Sequence, residues 1–235
     1  VVGSLIGLFF LVNHCQSFIA EKVYLNHSDS VSYVGMQSCR SCHSDIYDSY
    51  TNTGMGHSFG MALRQRSDAT FGDEDIVYYS VINLYYKPYW DVDTMKILEY
   101  RLFHGDTIHK RNETIKYIIG SGHHTNSHLV DINSYITQAP ITYYTQKKQW
   151  GLAPGFKDGF NSRFQRVIGV ECMTCHNAYS DHANESINKY DEVALGIDCE
   201  RCHGPGQVHV QRKLAGEFID TANQIDYSIV NPAKL

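Results

Sequence analysis

Six of the seven cysteines and three of the thirteen histidines fall in one repeated pentapeptide, Cys-x-x-Cys-His. The copies are Cys39-Arg-Ser-Cys42-His43, Cys172-Met-Thr-Cys175-His176 and Cys199-Glu-Arg-Cys202-His203. A chain of this composition would produce the pattern by chance about 0.01 times. Two thiols separated by two residues can each form a thioether with a vinyl group of one haem, and the next His reaches the iron. The spacing therefore predicts three covalently attached haem c groups, with His43, His176 and His203 as proximal iron ligands.

Other sulfur chemistry explains less. Cys172/Cys175 and Cys199/Cys202 form a C-x2-C…C-x2-C pattern that could supply a four-thiolate zinc site. Zinc does not need a His after every second Cys, and the motif at 39–43 has no matching thiol pair. A disulfide or thioredoxin-like reading leaves the same three histidines unexplained.

The remaining histidines and methionines bear on the sixth iron position. A second His or a Met closes the iron for electron transfer, while an open position admits ligands. His209 is the leading candidate. It lies beyond Gly204-Pro-Gly206, a sequence that ends a helix and redirects the chain. The tether from His203 is too short to round the same haem, so His209 is expected to serve a neighbouring one. His123, His124 and His128 follow the Gly120-Ser-Gly122 turn, and either one of them caps an iron or the loop is simply polar. His124 and His128 would share a face if the segment were helical. His182 is a minor candidate, His104 and His109 are expected to be structural, and His14 and His27 to be unrelated to haem.

The elements that must hold these residues divide into an α+β pattern. Residues 31–65 carry the first haem motif, followed by a short helix over Ser44–Tyr50 that Gly54 and Gly56 stop. Residues 70–150 contain no cysteine and are rich in β-branched and aromatic side chains. Strands are expected at Ile76–Tyr86, Lys96–His104, Thr107–Ile119 and Ile141–Lys147, separated by Gly105-Asp106, Gly120-Ser-Gly122 and Ala139-Pro140. This block reads as an antiparallel β insert between the first haem and the C-terminal pair, in residues 151–235. The rest is expected to be short helices and loops packed on porphyrin.

The apolar run Val1–Val12 is too short for a confident membrane span and suits the core of a secretory signal. Residues 1–20 are read as a signal remnant, an uncleaved anchor, or a lipid anchor through Cys15. The absence of an initial Met and the ending Asn231-Pro-Ala-Lys-Leu235 point to a fragment. Haem attachment to this motif occurs outside the cytoplasm, so export to the periplasm or cell surface is expected. A net charge of −5 without any basic run argues against nucleic acid and is compatible with docking to redox partner proteins.

The chain resembles multihaem c-type cytochromes of the group around the tetrahaem cytochrome of nitrifying bacteria. The carrying residues are Tyr33–His43, Tyr50–Gly56 and Cys199-Glu-Arg-Cys202-His203-Gly-Pro-Gly206-Gln-Val-His209. Softer matches are Tyr117–Gly122, Pro140–Tyr144 and Cys172–Tyr179, and the resemblance covers most of residues 31–235. It implies a further haem motif after the last residue. In those relatives a His twelve positions after the first proximal His is a distal ligand. Here that position is Met55, with His57 two further on, so the resemblance leaves thioether ligation, His57 or neither open.

These features favour single-electron transfer between redox partners outside the cytoplasm. One alternative is an oxidoreductase acting on a small nitrogen or sulfur compound at one open haem. The chain offers no Cys-x-x-Cys-Lys motif and no assignable tyrosine cross-link to support it. Another is a haem-anchored binding or self-assembly module that uses the β insert.

Overall fold

The computed structural model describes residues 23–157, 159–218 and 225. The expectations for residues 1–20, Cys15 and the segment Asn231–Leu235 lie outside them. Among the described residues no helix is long and apolar enough to cross a membrane.

The architecture is α+β. Strands β3 (Leu84–Asp91), β4 (Thr94–Phe103) and β5 (Asp106–Thr114) form an antiparallel meander, with β2 (Val77–Tyr79) added at its edge. The second sheet runs β1 (Phe59–Met61), β6 (Tyr117–Ile119), β7 (Thr125–Ile132), β8 (Tyr135–Tyr144) and β10 (Arg166–Val167). β9 (Gln149–Leu152) also pairs with β8. This sheet draws β1 from before the β-rich block and β10 from after it. A small ribbon, β11 (Asp181–His182) with β12 (Tyr190–Glu192), follows. The helices are short: α1 (Met36–Arg40), α2 (Ser44–Tyr50), α3 (Val170–His176), α4 (Glu200–His203) and α5 (Gln207–Leu214).

Side-chain alternation explains why the second sheet is buried on both faces. Ile118, Val130, Ile141 and Tyr143 pack with Leu84, Tyr86, Met95 and Ile97 of the meander, forming the core between the sheets. Their neighbours Tyr117 and Leu129, with Ile136, point the other way, onto Phe59, Ile168, Tyr190 and Met173 of α3. The sheet thus forms the floor for the helix carrying the second Cys-x-x-Cys-His.

Ser44–Tyr50 is helical as its sequence indicates, and the turn at Gly105 joins β4 to β5. Five other expectations need correction. Ile76–Tyr86 is not one strand: a 3-10 turn at Ser80–Ile82 and the left-handed Asn83 (φ 51°) fold it into β2 and β3. Thr107–Ile119 is split between the sheets, because Ile115 bonds back to Met95 while Lys116 donates to Leu129. Ala139-Pro140 lies inside β8, opposite a bulge at His128, where the missing proline N–H is tolerated. The histidine-rich stretch is not one loop, since β7 begins at Thr125 and takes His128 into the core. The strand expected over Ile141–Lys147 ends at Tyr144 and continues as a 3-10 turn.

Candidate functional site

Each Cys-x-x-Cys-His is wound into helical geometry, which brings residues three and four apart onto one face. In the first motif the Cys42 and His43 amides both donate to the Cys39 carbonyl, at 3.2 and 3.0 Å. The third repeats this at Cys199, with the Cys202 and His203 amides at 3.2 and 3.0 Å. The second lies wholly within α3. None of the six described cysteines is in a disulfide.

The first and third motifs face one another. Cys39, Cys42 and His43 of the first and Cys199 and His203 of the third line a cavity of about 570 Å³, together with Ile46, Tyr47, His209, Val210 and Leu214. This volume is within the ordinary range for bound organic cofactors, roughly 300–1,000 Å³. Ile46 and Leu214 are 64% and 79% exposed on its wall, apolar surface that an enclosed porphyrin would cover. The thiols of Cys39 and Cys199 are close enough to perturb one another electrostatically, and the His43 and His209 rings lie 6.3 Å apart at 24°. Cys199 is therefore paired with the first motif, and among the described residues no group of three or more His, Cys, Asp or Glu side chains forms a metal-ion site. The Cys39/Cys42 thiols with Cys199 beside them, nearby imidazoles and an apolar wall fit covalently attached haem.

Burial sets the electrostatics. It pushes the Cys39 thiol up to about 12, helped by neighbouring Cys199, and also raises Cys172 and Cys199. Burial lowers His176, while burial followed by His43 lowers His209, so both rings favour the neutral form that can bind a metal. Asp198 is pushed up to about 6, first by burial and then by Glu200.

The second motif joins the others through polar and aromatic contacts. Arg201 donates to the Thr174 carbonyl at 2.6 Å and lies 4.8 Å over the Tyr179 ring. Tyr179 stacks on Tyr33, just before the first motif, at 3.8 Å. Met55 and His57 lie on the turn next to the second motif, where Ser58 donates to the His176 carbonyl at 2.8 Å. Neither lines the cavity between the first and third motifs. Met55 is 53% exposed, and the His57 carbonyl accepts from Arg66 at 2.7 Å. Burial, followed by the Arg66 guanidinium, lowers His57.

His124 is exposed and bonded to Gln146 at 2.8 Å. His128 is fully buried against Trp150, 5.0 Å between ring centres. His109 contacts buried Glu99 at 2.8 Å, which Arg163 also holds. His182 packs edge-on against Tyr190.

Sequence reasoning missed Glu200. This variable residue within the third motif is 2% exposed and accepts main-chain hydrogen bonds from two other helix starts. Its acidic side chain inside an otherwise permissive pentapeptide was the only available signal.

Residues 141–204 match the family model described as Cytochrome c554 and c-prime. This segment contains all of the second motif and all of the third. No curated protein matches. Among solved structures, the chain is similar to the outer cell wall cytochrome OcwA, at 15% identity over 81% of this chain and 36% of the other, with a TM-score of 0.48. It is also similar to an undecahaem cytochrome from the S-layer of Carboxydothermus ferrireducens, at 17% identity over 77% and 22%, with a TM-score of 0.42. The chain thus spans about a third of the first protein and about a fifth of the second.

Proposed function

We propose that the chain is part of a multihaem c-type cytochrome passing single electrons between redox partner proteins outside the cytoplasm. Cys39/Cys42, Cys172/Cys175 and Cys199/Cys202 would hold three haems, with His43, His176 and His203 as proximal ligands. Haem bound in this way supplies an iron that alternates between ferric and ferrous states, one electron at a time.

The observation carrying this reading is the His43–His209 pair. Metal–imidazole bonds of about 2.0 Å, with about 1.1 Å from each nitrogen to its ring centre, require a centroid separation of about 6.2 Å. The rings stand at 6.3 Å on the wall of an apolar cavity. Were His43 to hold an iron, His209 would supply its second ligand, closing it for electron transfer rather than opening it to substrate. The match over residues 141–204 supports the c-type class. Placement near the tetrahaem cytochromes of nitrifying bacteria and export to the periplasm or cell surface belong to the same proposal.

Intact-mass measurement of the exported protein tests the cofactor assignment: the chain should be heavier by three haems, retained after denaturation. Loss of that mass on denaturation, or an apoprotein binding zinc through Cys172 and Cys199, would sink it.

A further inference from the structure

Glu200 occupies a position at which thioether chemistry asks nothing of the side chain. Its carboxylate is nevertheless buried and accepts hydrogen bonds from three backbone amides. Val34 donates at 3.0 and 3.1 Å, Gly35 at 2.7 Å and Gly206 at 2.7 Å. A buried carboxylate is costly unless its oxygens are satisfied, and here main-chain donors satisfy them.

The location of those donors matters. Gly35 immediately precedes α1, which carries Cys39 and leads into His43. Gly206 immediately precedes α5, which carries His209. Glu200 itself opens α4, the helix of the third motif. Three short helices therefore meet at one carboxylate, and the positive ends of α1 and α5 favour its charge. A parallel tie runs from the Ser32 amide to the Gln207 side chain at 2.8 Å.

We propose that Glu200 is a positioning residue that fixes the spacing of the His43 and His209 rings. By fastening the starts of the two helices, it keeps the second imidazole within bonding distance of the first iron. This rests on the two-histidine reading above.

The test uses Glu200→Ala, Glu200→Gln and His209→Ala in the full chain, with haem content checked by mass. Oxidised protein is examined by electron paramagnetic resonance, and reduced protein is titrated with carbon monoxide. His209→Ala should abolish one low-spin signal and create one carbon monoxide site. Glu200→Ala should lose part of that same signal and gain binding at the same haem. Glutamine keeps the length but turns one acceptor into a donor facing an amide, so Glu200→Gln should fall between. Added imidazole should restore the low-spin signal in both Glu200 variants. If His209→Ala changes nothing, the ligand reading itself fails. If it opens the iron while both Glu200 variants retain wild-type spectra and carbon monoxide binding, the positioning role is overturned. Failure of both Glu200 variants to retain haem would reduce Glu200 to a folding residue and also overturn the proposal.

Discussion

At the residue scale, His209 and Met55 offer different ligand chemistry for the first iron, and their surroundings separate them. His209 faces His43 across an apolar cavity, whereas Met55 is half-exposed on a turn beside the second motif. A ligating thioether would raise the potential of its haem, so removing one would lower it. Met55→Ala is expected to leave every haem potential unchanged in a redox titration and to alter stability by no more than about 0.5 kcal/mol, the usual range for surface changes. His209→Ala should instead convert one haem to a high-spin form that binds carbon monoxide. A Met55→Ala protein with one potential clearly lowered would reverse the assignment. The motif spacing made the nine proposed attachment and proximal residues stand out in the sequence, because covalent haem chemistry would fix both residue type and interval. Distal ligands would obey no such interval: His209 lies 6.3 Å from His43 on a helix that follows a Gly-Pro-Gly turn and whose start, like that of the His43 helix, is bonded to Glu200.

At the element scale, the second sheet shows why some of the fold could be read and some could not. The aromatic and β-branched run at Lys96–His104 announced β4, whereas the expected strands Ile76–Tyr86 and Thr107–Ile119 caught β3 and β5 only in part. β7 begins Thr125-Asn-Ser-His128, a polar run whose burial depends on a second sheet and on α3 covering its two faces. His128 has a consequence that the sequence did not announce. Its ring is fully buried beside Trp150, touches the Ile141 backbone, and has neither nitrogen in hydrogen-bond geometry. Burial lowers its pKa from 6.5 to about 3. Between those values the unfolded chain binds a proton that the folded chain excludes, so stability falls as pH falls, by about 1.4 kcal/mol per pH unit. Above pH 6.5 this contribution is complete and constant. Denaturant unfolding from pH 7 to 4 should show this slope, and His128→Phe should flatten it. An unchanged slope in the variant would show that other groups cause the acid sensitivity.

At the scale of the molecule, the three Cys-x-x-Cys-His motifs are not equivalent. The first and third adjoin through Cys39 and Cys199, share one cavity and are locked by Glu200. The second rests on the sheet and reaches them through Arg201 and the Tyr33–Tyr179 stack. Groups attached at neighbouring sulfurs begin as near neighbours, and electronic coupling decays steeply with distance. Reduction of one member of the pair also places added charge beside the other in a low-dielectric cavity, where repulsion is poorly screened. The expected behaviour is a coupled pair with split potentials and a third haem that titrates more independently. Spectroscopic redox titration combined with electron paramagnetic resonance would resolve this, since the pair should show magnetic interaction that weakens when one member is reduced. Lengthening the link, by a Glu200→Ala change that frees α1 and α5 from α4, should narrow the splitting while leaving the third haem unaltered. Three independent titrations without magnetic interaction would mean that the shared cavity does not couple the two sites.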